Sequence, residues 1–207
     1  MSKILLQEYF ELCPEGRCPL HVLTESEKKN IMEGGVYLVG VVQKAGTKNG
    51  NGRIYRKEIL ERELKKYNEA IRERRSLGEL DHPDDSVINL KNASHLVTKI
   101  WWDGDNVMGK IEVLDTPSGK ILKELVKHQC KLGISSRGLG STKKDNEGNT
   151  IVEEDFQLIC FDMVSEPSTP GAYVKPSVNI DKQINMYINE SKENKINNLL
   201  DSILRET

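Results

Sequence analysis

Two stretches of this chain carry residue types that together could cut a covalent bond. The first is Gly133-Ile134-Ser135-Ser136-Arg137-Gly138-Leu139-Gly140, where two hydroxyls follow an apolar lead-in and precede glycines. A serine hydroxyl is a weak nucleophile, so it needs a neighbouring base and donors aimed at the oxyanion its attack creates. Glycines at 133, 138 and 140 are expected to permit backbone angles that side chains forbid, so that another chain can approach closely and N–H groups stay free to donate. The second stretch is Gly78-Glu79-Leu80-Asp81-His82-Pro83-Asp84-Asp85. Histidine occurs only at 21, 82, 95 and 128, and His82 alone precedes a proline, which holds its backbone extended.

A serine and histidine working together need a third group to fix the imidazole tautomer and stabilise the imidazolium, a task usually given to a carboxylate. Asp162 is the candidate. Strand alternation over 156–164 puts Phe156, Leu158, Cys160, Asp162 and Val164 on one face, so this carboxylate is expected in partly apolar surroundings and in need of a partner. His95, Asp155 and Glu166 stand as alternatives for the third role, and Ser136 stands beside Ser135 as nucleophile. A competing metal reading takes His82, Asp84, Asp85 and His95 as ligands, and the Cys13, Cys18, His21 spacing is off the usual zinc pattern. No metal and no cofactor is expected.

The elements that must position these groups follow from periodicity. Positions 35–42 are β-rich and read as a core strand, and 44–53 read as a loop. Apolar residues at Ile59, Leu60, Leu64, Tyr67, Ala70 and Ile71 predict an amphipathic helix over 56–75. The turn Asp103-Gly104-Asp105-Asn106 predicts a hairpin between strands 94–102 and 107–114, whose paired tryptophans serve packing. Thr116-Pro117 reads as an N-cap and first-turn proline for a helix over 120–130 that leads into the Ser135 segment. The last strands are expected at 151–152 and 156–164. Prolines 167, 170 and 176 then impose an extended path, and Ile196, Leu199, Leu200, Ile203 and Leu204 mark a helical tail.

The 30 Lys and Arg against 32 Asp and Glu leave a net charge of −2, so nothing in the overall charge draws the chain to nucleic acid or an anionic membrane. Partners are expected to be proteins. Cysteines 13, 18, 130 and 160 read as reduced thiols. No apolar run approaches a membrane span, and the first residues are too short for a secretory segment, so the protein is expected to work inside a cell.

The two chemical stretches, joined by Asn51-Gly52-Arg53-Ile54-Tyr55, the Trp101-Trp102 segment and Pro167-Ser168 with Ala172-Tyr173-Val174, resemble the paired signature of the prohead core proteases of large tailed phages. The resemblance implies an α+β fold like the herpesvirus assembly proteases: a β-barrel-like core of mostly antiparallel strands ringed by helices. It implies a serine endopeptidase with His82 as base, Ser135 as nucleophile and the backbones of Arg137 and Gly138 as oxyanion donors. The herpesvirus enzymes use a second histidine after the serine. All four histidines here precede Ser135, and the phage branch is expected to use a carboxylate.

The resemblance also implies substrates, namely phage scaffold and capsid proteins, cut inside the assembling prohead in the host cytoplasm after Glu in Leu/Ile-x-Glu sites. Three such sites occur, at Glu25–Ser26, Glu33–Gly34 and Glu190–Ser191, and the first and last suggest self-trimming, with an arm over 1–33, a protease domain over 34–176 and a tail over 177–207. A substrate glutamate needs a cation, and Arg137 or the loop around Lys44 and Lys48 is the expected source. Self-association is left open. The rival readings are a non-catalytic assembly module that docks on scaffold or capsid, and a metal-dependent hydrolase.

Overall fold

The computed structural model describes residues 4–11, 23–83, 85–128, 130 and 132–165. The predicted hairpin forms: β5 (Ala93–Asp103) and β6 (Asn106–Val113) pair antiparallel around Gly104, whose φ of +60° glycine adopts most readily. β2 (Val36–Lys44) and β4 (Leu77–Glu79) flank it in the order β2-β6-β5-β4. A second sheet places β7 (Gly133–Gly140) between β1 (Ile4–Glu11) and β10 (Gln157–Val164), antiparallel to both. A small third sheet joins β3 (Arg53–Ile54), β9 (Thr150–Val152) and β8 (Thr142–Lys144), with β3 and β9 parallel.

The fold is therefore mixed α+β with mostly antiparallel strands, as expected. The barrel-like core needs correction: among the described residues the strands form three sheets, and no continuous ladder closes them. The reason is local. β4 is only three residues long, and beyond it the chain touches β10 through one parallel bridge, Leu80 to Met163, with the Asp81 N–H on the Met163 carbonyl at 2.7 Å. That brief junction carries the histidine segment to the edge of the second sheet.

Among the described residues three helices cover the sheets. α2 (Lys57–Arg72) buries Ile59, Leu60, Leu64 and Tyr67, the predicted stripe, and each such side chain contributes roughly 1.5–3 kcal/mol on leaving water. α3 (Pro117–Lys127) starts where the sequence places it, with the Thr116 hydroxyl accepting from the Gly119 N–H at 3.0 Å. α1 (Glu25–Met32) opens on a capping box between Thr24 and Glu27, and Glu27 also takes the nearly buried Lys110 ammonium of β6. The main core joins both large sheets and α3 through Val42, Val97, Ile111, Leu122, Ile134 and Phe161.

The stretch read as an N-terminal arm does not stand apart from these sheets. Ile4–Glu11 is the neighbour of β7 along its whole length, and Ile31 of α1 packs with Leu23 and Tyr37. Hydrogen bonding to an open strand edge, which leaves no periodic signature, outweighs the broken composition of the stretch. The proline path and helical tail expected after 166, together with Cys13, Cys18 and His21, lie outside the described residues.

His95 of β5 is fully buried. Its Nε2 donates to the Phe161 carbonyl and its Nδ1 accepts from the Ser94 hydroxyl, both at 2.9 Å, because a carbonyl can only accept. Burial lowers its pKa from 6.5 to about 4, against the opposing pull of the Phe161 carbonyl and Asp162. The unfolded chain thus binds the proton first. The stabilisation from a neutral His95 is complete above pH 6.5 and is lost as pH falls towards 4, on the order of 3 kcal/mol in all. Denaturant midpoints at pH 7 and 4.5 should fall steeply for the parent and less for His95→Gln; equal slopes would refute this account.

Candidate active site

β7 and β10 lie side by side, with Ser135 directly opposite Asp162. A bulge makes that pairing. From Gln157↔Leu139 and Leu158↔Gly138 the ladder would run on to put Asp162 opposite Ile134, on the other face; the extra residue between Leu158 and Cys160 moves it to Ser135. The Leu158 N–H at the bulge is taken by Glu63 Oε2 of α2 at 3.0 Å. The uninterrupted alternation expected from Phe156 to Val164 is corrected accordingly, although Cys160 and Asp162 do share a face, with the thiol 3.3 Å from Asp162 Oδ1.

His82 arrives from the β4 end. Asp81 sits at φ 70°, a left-handed conformation that aspartate tolerates better than most residues, and its side chain accepts the His82 N–H at 2.9 Å. The reversal turns the imidazole onto the sheet. Nδ1 lies 2.8 Å from Asp162 Oδ2, and Nε2 lies 3.1 Å from Ser135 Oγ. An ionised carboxylate can only accept, so Nδ1 carries the proton and Nε2 is left to accept from the serine.

Burial alone would raise the pKa of Asp162, but hydrogen bonds from His82 and the Glu79 N–H, with the charge of Arg137, outweigh it and hold the carboxyl below its ordinary value. Oδ1 takes the Glu79 N–H at 2.9 Å. Ser135 and Asp162 are fully buried, and the His82 side chain is 6% exposed.

Ser136, the alternative nucleophile, points to the opposite face, where its Oγ accepts from Gln43 Nε2 at 2.9 Å. His95 has both ring nitrogens engaged elsewhere, so it joins neither His82 nor a ligand set. Asp155 accepts from the Ser141 N–H and hydroxyl at 2.8 and 2.9 Å, away from His82. Asp84, Glu166, Glu190 and Ser191 lie outside the described residues, and Glu25 and Ser26 occupy the first turn of α1.

Two sequence readings change. Gly133, Gly138 and Gly140 all avoid positive φ; Gly138 is needed because a Cβ there would come within 2.5 Å of the Phe156 ring and 2.6 Å of the Gln157 carbonyl. The Arg137 side chain, expected to meet a substrate carboxylate, is fully buried on Glu79, Asp85 and Asp162. Glu79, Asp81 and that side chain were missed as parts of the site. The polar Ser135-Ser136-Arg137 run within a strand-like stretch, and the carboxylates beside His82, were the available signals.

A hydroxyl, an imidazole and a buried carboxylate joined in sequence within an α+β fold form the arrangement that serine hydrolases use. Comparison narrows the class. The family model described as prohead core protein serine protease matches residues 15–184. The chain is 38% identical over 146 residues to the prohead core protein protease of Enterobacteria phage T4, spanning 69% of each chain. The solved bacteriophage T4 capsid assembly protease superposes with a TM-score of 0.66 at 31% identity, covering 79% of this chain and 99% of that one. The chain belongs to the prohead core protein serine protease family and is a serine protease.

Proposed function

We propose that His82 takes the proton of Ser135 as the hydroxyl oxygen attacks a peptide carbonyl, and that Asp162 stabilises the imidazolium so formed. The imidazolium then protonates the leaving amine, and water repeats the sequence to free the acyl group. The observation that carries this is the unbroken hydrogen-bonded line from Ser135 through His82 to Asp162. Backbone N–H groups of Arg137 and Gly138 are the proposed oxyanion donors. Consecutive N–H groups in a strand point to opposite edges, and Ser135 is buried, so productive binding requires a local rearrangement of β7 or of what flanks it.

The substrates in this reading are phage scaffold and capsid proteins in the assembling prohead within the host cytoplasm, in line with the capsid assembly named for the T4 protease. Cleavage falls after Glu in Leu/Ile-x-Glu, and the fold is similar to that of the herpesvirus assembly proteases. The enzyme also trims itself at Glu25–Ser26 and Glu190–Ser191. The first of these bonds lies inside capped α1, so its turn must unwind before cleavage.

A scaffold-like peptide containing Leu-x-Glu-Ala should be cut by the parent, spared by Ser135→Ala and cut equally in chelator. Mass spectrometry should find termini at Glu25 and Glu190 in the parent alone. An intact peptide would favour a non-catalytic assembly module, chelator sensitivity a metal-dependent hydrolase, and unchanged termini would remove self-trimming.

A further inference from the structure

We propose that the buried Arg137 side chain is a positioning residue that locks the His82 segment onto Asp162. This rests on the Ser135, His82 and Asp162 reading and deepens it. One guanidinium reaches both partners: Nε lies 2.9 Å from Asp162 Oδ2, and Nη2 lies 3.3 Å from Asp162 Oδ1 and 2.8 Å from Glu79 Oε1. Nη1 donates to the Asp85 carbonyl at 2.7 Å. Glu79 and Asp85 each stand three residues from His82, before it and after it, so the same planar group holds both feet of the segment that carries the base. Glu79 extends the clamp by accepting the Asn89 N–H at 3.0 Å. Only a forked cation with several donors in one plane can serve these partners together; an ammonium cannot.

Charge points the same way. Two buried carboxylates, Glu79 and Asp162, face one guanidinium, which leaves the cluster one negative charge in excess. An imidazolium at His82 restores the balance, so the cluster favours the state formed when Ser135 gives up its proton. The other groups packed against Asp162 carry no compensating charge: burial pushes the Cys160 thiol and the Tyr67 phenol up and His95 down, so all three stay neutral. Glu79 Oε2 finds no hydrogen-bond partner among the described residues, and beside the Asn89 N–H on Oε1 it is the Arg137 charge that offsets the burial of that carboxylate.

The test uses full-length protein and peptide hydrolysis across pH. Arg137→Lys should lower kcat roughly 10- to 100-fold with KM unchanged, because misplacing a reacting group by about 1 Å costs on that order. It should also move the acid limb of kcat/KM to higher pH, since the Asp162 carboxyl loses cationic support. Glu79→Gln keeps the fork and removes the competing negative charge, so its acid limb should move to lower pH. That second variant decides the matter where Arg137→Lys does not fold. Unmoved limbs in folded variants, or a raised KM with lost preference for Glu over Gln, would overturn the inference. If Ser135→Ala still hydrolyses peptide, the underlying reading fails instead.

Discussion

Asp162→Asn is expected to fold and to lose about four orders of magnitude in kcat, the scale of a misdirected tautomer in serine proteases. The loss follows from what surrounds the carboxylate. Its Oδ1 receives the Glu79 N–H and Arg137 Nη2, while Oδ2 faces His82 Nδ1 and Arg137 Nε. An asparagine has one acceptor for these two positions. The Glu79 N–H can only donate, whereas the imidazole can change tautomer and Arg137 Nε can turn to the Cys160 thiol 3.3 Å away, so the oxygen settles at the Oδ1 position and the NH2 turns to His82. Nδ1 must then accept, Nε2 carries the proton, and the imidazole can no longer take one from Ser135. Peptide hydrolysis with circular dichroism as the folding control checks this, and activity within tenfold of the parent would dismiss Asp162 from the role.

Ser135→Ala and His82→Ala should each cost about six orders of magnitude, and the double variant no more than either alone, because the two groups act on one proton. Additive losses would mean that they act separately. Ser136→Ala should keep kcat within a few-fold and instead lower stability by roughly 1–2 kcal/mol, since Gln43 Nε2 is left buried without its acceptor. If it were Ser136→Ala that abolished turnover, the register of β7 described above could not be the active one.

Much of the frame could be read from local patterns. The stripe of α2, the Thr116 cap, the hairpin at Gly104 and the last strand are local, and they appear within a few residues of where periodicity puts them. β1 escaped notice because an edge strand needs only backbone groups, which all residues share. Of the two purposes read for the glycines around Ser135, the special backbone angles are not used, and the close approach of another strand is met at Gly138. Sequence shows that a side chain is missing; it does not show that the Phe156 ring occupies the space beside Gly138.

What the sequence by itself determined was the set of candidate groups: a serine pair, a proline-stiffened histidine, an aspartate in an apolar strand, and the motifs that place the chain among phage prohead proteases. The tertiary structure decided which of them meet. The β10 bulge carries Asp162 to the face of Ser135, the left-handed turn at Asp81 swings His82 between them, and the same strand geometry sends Ser136 to Gln43. Each outcome depends on a one-residue step in register or a single backbone angle, set by strands 80 or more positions away in the chain for His82 and Asp162. Residue type and spacing carry no record of such steps, because pairing energy accumulates only once the strands have met.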